Sequence, residues 1–139
     1  MINERNVEHR VMIIDDNTDI LLTYKQILED SGFRVDAFED PMMAMAAFKA
    51  GKENGYELLL IDIYFEKHDI NVFSGFNVYE EMRKSGKKMP PVCFVTAFPN
   101  YYDMLKQSFP MISVKCFLKK PIEARDLVAK VRQEITGLV

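Results

Sequence analysis

Leu58-Leu59-Leu60-Ile61 is an unbroken aliphatic run closed by a carboxylate, Asp62. A run of this kind reads as a strand buried on both faces, which is the signature of a parallel sheet covered by helices on each side. A charged side chain at the carboxyl end of such a strand stands in the crevice where open α/β sheets place their ligands. Asp62 is therefore either a strand terminator that caps a turn or a reactive group. The residues brought to the same edge must decide.

Other segments repeat the pattern. Val11-Met12-Ile13-Ile14 is a second short apolar run, and it ends in Asp15-Asp16. Asn17 or Thr18 then caps a helix whose apolar positions Ile20, Leu21, Tyr24, Ile27 and Leu28 follow helical spacing, with Ser31-Gly32 ending it. Phe33 to Ala37 alternates like an edge strand. Asp40-Pro41 opens a helix carrying Ala44, Met45, Ala47 and Phe48. Beyond Asp62 the segment Ile63 to Ser74 is irregular, and a helix begins at Gly75 with Phe76, Val78, Tyr79 and Met82 inward. Val92 to Val95 forms a strand ending at Thr96. A helix spans Tyr101 to Phe109. Val114 to Leu118 forms a strand ending in Lys119-Lys120-Pro121, and a last helix presents Leu127, Val128, Val131 and Ile135.

Five β-α units in succession demand parallel pairing with right-handed crossovers. The expected fold is a flavodoxin-like, doubly wound five-stranded parallel sheet with helices on both faces, order 2-1-3-4-5. At 139 residues the chain reads as one domain, 1–139, with a polar, flexible tail over residues 1–9. Apolar residues make up 48% and charged residues 28%, which argues against disorder. The net charge of −3 argues against holding nucleic acid directly. Cys93 and Cys116 lie in apolar runs and read as buried free thiols, with a metal or redox role as the alternative. With no membrane-length apolar run and a polar start, a cytoplasmic protein is expected.

All strand ends open on one edge, which gathers Asp15, Asp16, Asp62, Thr96 and Lys120. Carboxylates brought together raise one another's pKa values unless a cation neutralises them. Oxygen ligands of this sort suit Mg²⁺, which binds one or two carboxylates and keeps waters for a phosphate. A hydroxyl and an ammonium facing the same point add donors for phosphate oxygens. Together these are parts of a phosphoryl-transfer site, with Asp62 as the group that forms an acyl phosphate. The bland readings remain beside this one: a capping Asp-Asp pair, a structural Thr at a strand end, a solvated Lys before Pro.

The acidic pair Asp15-Asp16, Asp62, Thr96-Ala97, and Lys120-Pro121 preceded by Phe117 resemble the receiver domain of two-component response regulators (CheY-like receivers), from Val11 to Ile135. The resemblance implies a phosphorylation-dependent signalling switch rather than a turnover enzyme, catalysing only its own phosphorylation and dephosphorylation. A sensor histidine kinase or phosphotransfer protein would donate the phosphoryl group to Asp62 with Mg²⁺ bound. Asp16, Asp62, the backbone carbonyl of Tyr64 and, through water, Asp15 would hold the metal. Lys120 would pair with the phosphate, and the Thr96 hydroxyl would move to accept it. Phe117 would swing into the vacated space and alter the surface of the fourth helix, fifth strand and fifth helix. The family's Lys-Pro bond is typically cis.

Three features depart from the family pattern. Phe65-Glu66 replaces the usual Met-Pro pair, and the matching glycine is Gly75, so this loop is longer by about five residues. A partner-selecting role is expected for residues 66–74, a tolerated insertion being the alternative. Tyr64 and Phe98 stand where the family modulates dephosphorylation; bulky rings there shield the phosphate, so self-dephosphorylation should be slow. Phe117 replaces the commoner tyrosine and, lacking a hydroxyl, should favour the inward position.

The competing functions are a receiver that binds partners without phosphorylation, a Mg²⁺-dependent aspartyl-phosphate phosphatase and a flavodoxin-type binding module. The phosphatase would require an acid where Tyr64 stands, and Asp15-Asp16-Asn17 would repel a flavin phosphate. The output would be a downstream protein target or an output domain outside the chain. Homodimer pairing through the fourth- to fifth-helix face is a further family expectation.

Overall fold

Strand β1 (Arg10–Ile14) pairs in parallel with β2 (Arg34–Phe38) on one side and β3 (Leu58–Asp62) on the other. β4 (Val92–Thr96) and β5 (Cys116–Lys119) complete a five-stranded parallel sheet of order β2-β1-β3-β4-β5. The helices are α1 (Thr18–Asp30), α2 (Pro41–Ala50), α3 (Gly75–Lys84), α4 (Pro99–Leu105) and α5 (Ala124–Thr136). This computed structural model describes residues 8–51 and 55–136. The tail expected over 1–9 falls outside the described residues as far as residue 7. His9 is already tied down: its carbonyl accepts from Arg34 N–H at 2.9 Å, and its Nδ1 lies 2.7 Å from Glu57 Oε2.

The sheet is apolar on both faces because its central strands carry unbroken apolar runs, residues 11–14 and 58–61. Val11, Ile13, Leu58 and Leu60 point to one side, where Leu21, Tyr24 and Leu28 of α1 and Leu127 and Val131 of α5 cover them. Met12, Ile14, Leu59 and Ile61 point to the other, against α2, Phe76, Val78 and Met82 of α3 and Leu105 of α4. Period-two alternation in a strand thus becomes two separate cores.

The helix termini follow local chemistry. Asn17, one of the two candidate caps, accepts from Ile20 N–H, and Asp40 accepts from Met42 N–H. Gly32, at φ 96°, lets the Phe33 N–H return to the Leu28 carbonyl. Only glycine adopts that left-handed conformation without cost. Phe33 therefore closes α1 instead of opening β2. At β5 the expected start at Val114 moves to Cys116. Two residues back in the β4–β5 register, Val114 would face Pro91, which has no N–H to extend the ladder. α4 begins at Pro99, earlier than the expected Tyr101, since the first helical position needs no donor.

One expectation is overturned. Cys93 and Cys116 are not free thiols but a disulfide, at a sequence separation of 23 and with Cα atoms 4.5 Å apart. The reason is register. Cys93 stands directly opposite Cys116 across the β4–β5 pair, a distance that permits the bond.

Candidate functional site

At the carboxyl edge, β1 and β3 deliver Asp15, Asp16 and Asp62. All three are buried, with 3%, 6% and 6% of their surface exposed. Charged side chains are seldom buried this deeply without partners. Lys120 supplies one: its Nζ donates to Asp15 Oδ2 at 2.5 Å and to Asp62 Oδ2 at 2.8 Å. The lysine arrives there because its backbone N–H donates to the Thr96 carbonyl, 2.8 Å away, just past the end of β5. The Lys120-Pro121 bond is cis, as the family pattern expects.

Backbone donors fix the remaining carboxylate oxygens. Asn17 N–H donates to Asp15 Oδ1 at 2.9 Å, and Tyr64 N–H to Asp62 Oδ1 at 3.2 Å. Lys67 N–H, far along the chain, donates to Asp16 Oδ2 at 3.0 Å. Asp16 Oδ1 is buried and has no hydrogen-bond partner among the described residues. Such an orphaned anionic oxygen is costly unless something else neutralises it.

The electrostatics follow from two acids sharing one base. Burial, and next the charge of Asp15, push the Asp62 carboxyl up to about 7, against the pull of Lys120 and the Tyr64 N–H. Burial alone would depress the Lys120 ammonium, but Asp62 and Asp15 outweigh it and hold the group charged. Lys120 thus keeps its proton, and the Asp62 carboxyl stays raised until a further positive charge offsets its burial and Asp15.

The other expected residues are near but less directly engaged. Thr96 is fully buried, and its Oγ1 accepts from Phe98 N–H at 3.1 Å. Phe117 is half-buried on β5, its ring 5.7 Å from that of Tyr102 on α4. Tyr64 and Phe98 are brought together through Tyr101, each ring centroid 5.3 Å from it. Tyr101 was not anticipated as part of this rim; its sequence signal was only that of a helix position. The Tyr64 backbone engages Asp62 through its N–H, a contact the sequence does not advertise.

Two further residues matter here. A Cβ at Gly75 would lie 2.2 Å from the Asp62 carbonyl oxygen. Helix α3 thus abuts the backbone that carries the acidic group, and only glycine fits. Ser74, fully buried, caps that helix by accepting from Phe76 N–H, and Asn77 Oδ1 accepts from Ser74 N–H in return. The Ser-x-x-Asn spacing was the available clue.

Among the described residues no three acidic, histidine or cysteine side chains converge as a ready metal cage. A closed cage is not what Mg²⁺ uses: one or two carboxylates and several waters suffice. The buried, orphaned Asp16 oxygen, on the sheet edge that also carries Asp15 and Asp62, fits that chemistry.

A family model described as the response regulator receiver domain matches residues 11–132. Transcriptional regulatory protein DltR of Streptococcus agalactiae is 28% identical over 123 residues, 88% of this chain and 50% of that protein. Peroxide stress-activated histidine kinase mak3 of Schizosaccharomyces pombe is 25% identical over 133 residues, 94% of this chain and 6% of that kinase. The chain therefore spans half the length of one curated relative and a small fraction of the other. The crystal structure of response regulator protein TrrA from Thermotoga maritima, in complex with Mg(2+)-BeF, superposes with a TM-score of 0.70. It is 26% identical, and the match covers 90% of this chain and 97% of that one.

Proposed function

This chain belongs to the response-regulator receiver domain family, and we propose that it is a phosphorylation-dependent signalling switch whose phosphoryl acceptor is Asp62. The observation that carries the proposal is the Asp15–Lys120–Asp62 bridge at the carboxyl edge of the sheet. It holds Asp62 Oδ2 against an ammonium and Oδ1 against a backbone N–H. Those partners aim the carboxylate.

In the proposed reaction an Asp62 oxygen attacks the phosphorus of a phosphohistidine on a sensor histidine kinase or phosphotransfer protein. The phosphorus–nitrogen bond breaks, the imidazole leaves with the electron pair, and an acyl phosphate forms. Asp16, Asp15, Asp62 and the Tyr64 carbonyl would hold Mg²⁺. The cation supplies neutralisation of the phosphoryl and carboxylate charge. Lys120 follows the charge from Asp62 to the new phosphate oxygens without moving far. Thr96 would exchange its Phe98 N–H contact for a phosphate oxygen.

The output follows from what Thr96 and Phe117 touch. Phe117 packs on Tyr102 of α4, while Phe98 and Met104 of the same region are 49% and 44% exposed. A Thr96 shift that draws Phe117 inward would repack α4 and change the α4-β5-α5 surface. That surface is the proposed site for a downstream target, for an output domain or for pairing with a second copy. The whole of 1–139 is read as one such domain. Among the described residues no helix is long and apolar enough to cross a membrane. The cytoplasmic setting rests on the family resemblance. Disulfides are uncommon in reducing compartments, but Cys93 and Cys116 are buried, at 0% and 2% exposure.

The test is incubation of the whole protein with Mg²⁺ and acetyl phosphate, read by intact mass. One added phosphoryl group is expected, and none on Asp62→Asn. An adduct that persists in Asp62→Asn, or no adduct on the native chain with any donor or kinase, rejects the acceptor assignment. A second expectation concerns lifetime. The Tyr64–Tyr101–Phe98 rim carries bulky rings and no carboxylate or amide to act as a base on an attacking water, so the acyl phosphate should be lost slowly. The Tyr64→Asn, Phe98→Glu double variant should lose it about tenfold faster, since an oriented base is worth at least that much. An equal or slower loss would show that the rim only packs.

A further inference from the structure

Beyond Tyr64, the segment between β3 and α3 has no task in the scheme above, yet it is built. Gly75 N–H donates to the Ile63 carbonyl at 2.8 Å and closes its base. Within it, Phe65 is fully buried and stacks on Phe73 at 5.7 Å, while the His68 ring lies 4.9 Å from Phe73 and 6.4 Å from Phe65. Two turns shape the loop: His68 N–H returns to the Phe65 carbonyl, and Val72 and Phe73 N–H both return to the Asp69 carbonyl. The inserted residues are not merely looped out: His68 and Phe73 are half-buried and packed on the fully buried Phe65.

The first of those turns carries Lys67, whose backbone N–H reaches Asp16 Oδ2, 51 residues earlier. Asp16 is 6% exposed, and its other oxygen, Oδ1, is the buried atom with no partner. One oxygen is thus held by the loop and the other is left open.

We propose that residues 65–73 form a positioning element for a divalent cation: the Phe65–His68–Phe73 stack holds the Lys67 N–H, which in turn holds Asp16 so that Oδ1 faces the ion. The inference rests on the receiver reading of the site, because that reading puts the cation there. Lys67 acts through its main chain, so the side chain at this position is free to vary. Partners that orient a metal-bound carboxylate typically change metal affinity by about 10–100-fold when lost. A fixed carboxylate also favours Mg²⁺, which demands near-ideal octahedral geometry, over Ca²⁺, which accepts irregular ligand sets.

The test is calorimetric titration of the whole protein with MgCl₂ and, separately, CaCl₂. Phe73→Ala removes the stack, Lys67→Pro removes the donor, and Phe73→Tyr keeps a ring in place. His68→Ala, on the half-exposed side of the stack, is the variant least able to disturb folding. Mg²⁺ affinity should fall about tenfold or more in Phe73→Ala and Lys67→Pro, less in His68→Ala, and hardly in Phe73→Tyr, with Ca²⁺ affinity changing less throughout. Native-like Mg²⁺ affinity in the folded His68→Ala and Phe73→Ala proteins would overturn the loop's role and leave the acceptor reading intact. Equal losses of Mg²⁺ and Ca²⁺ affinity would also overturn it, as plain destabilisation. If the native protein bound no Mg²⁺ at all, both readings would fall.

Discussion

Replacing Lys120 by methionine is expected to cost about 3–5 kcal/mol of stability at pH 8 without divalent cations, the range typical of breaking a buried charge pair. Methionine keeps the apolar stem and deletes the ammonium. What remains is a pair of buried carboxylates, Asp15 and Asp62, that had shared Nζ at 2.5 and 2.8 Å. Even with Lys120 present, burial and Asp15 raise the Asp62 carboxyl from 3.8 to about 7. A carboxyl raised in the folded state contributes its full stability below its unfolded pKa, and that contribution is lost as pH climbs through the folded value. Without Lys120 the folded value climbs further. The deficit should therefore be largest at pH 8 and shrink towards pH 4–5. Asp62→Asn should act the other way, stabilising the metal-free protein by about 1 kcal/mol at pH 8, because Lys120 then faces one carboxylate instead of two. Urea unfolding of the three proteins at pH 5 and pH 8 in EDTA measures both effects. A Lys120→Met deficit of equal size at the two pH values would mean that lost packing, not charge, is responsible.

Gly75→Ala should destabilise the fold and slow phosphorylation together. Helix propensity alone predicts the reverse, a gain of about 1 kcal/mol at a helical position. The steric term decides the sign. An added Cβ would lie 2.2 Å from the Asp62 carbonyl oxygen and 3.0 Å from its carbonyl carbon and from Ile61 Cγ2. Two of those atoms are backbone in the central strand, which cannot rotate away, so α3 or β3 must shift. Overpacking of this kind costs about 1–3 kcal/mol and can cost more, leaving a net loss of up to about 2 kcal/mol once propensity is subtracted. A displacement of the acceptor approaching 1 Å would slow acetyl-phosphate labelling by up to about 10²-fold. Urea unfolding and a labelling time course check the two halves. A variant as stable as the parent and labelled at the same rate would show that α3 gives way without moving Asp62.

The two predictions draw on different kinds of legibility. Asp15, Asp16, Asp62, Thr96 and Lys120 each stand at or beside the end of an apolar run, so five β-α units with right-handed crossovers place them on one edge before any coordinate is known. The sheet order observed, β2-β1-β3-β4-β5, is the expected one for the same reason. Strand and helix identity are local properties, set by period-two runs, by Asn17 and Asp40 as caps, and by Gly32 at a left-handed turn. Even the displaced ends of β2 and β5 have local causes, in Phe33 closing α1 and in Pro91 lacking a donor.

What the sequence could not supply was any relation decided by how distant segments meet. Cys93 and Cys116 looked like two apolar residues in two strands; only the parallel register puts their Cα atoms 4.5 Å apart. Gly75 was legible as a helix start, but its need to be glycine comes from the carbonyl of Asp62 lying where a side chain would go. Lys67 carries no signal at all, because its contribution is a main-chain N–H that every residue but proline possesses. The chain by itself determined which carboxylates, hydroxyl and ammonium share an edge, since period and connectivity are written in residue order. The tertiary structure alone decided which partner satisfies each carboxylate oxygen and that Asp16 Oδ1 is left open. Hydrogen bonds are fixed to within tenths of an ångström, and no residue pattern specifies distance at that scale.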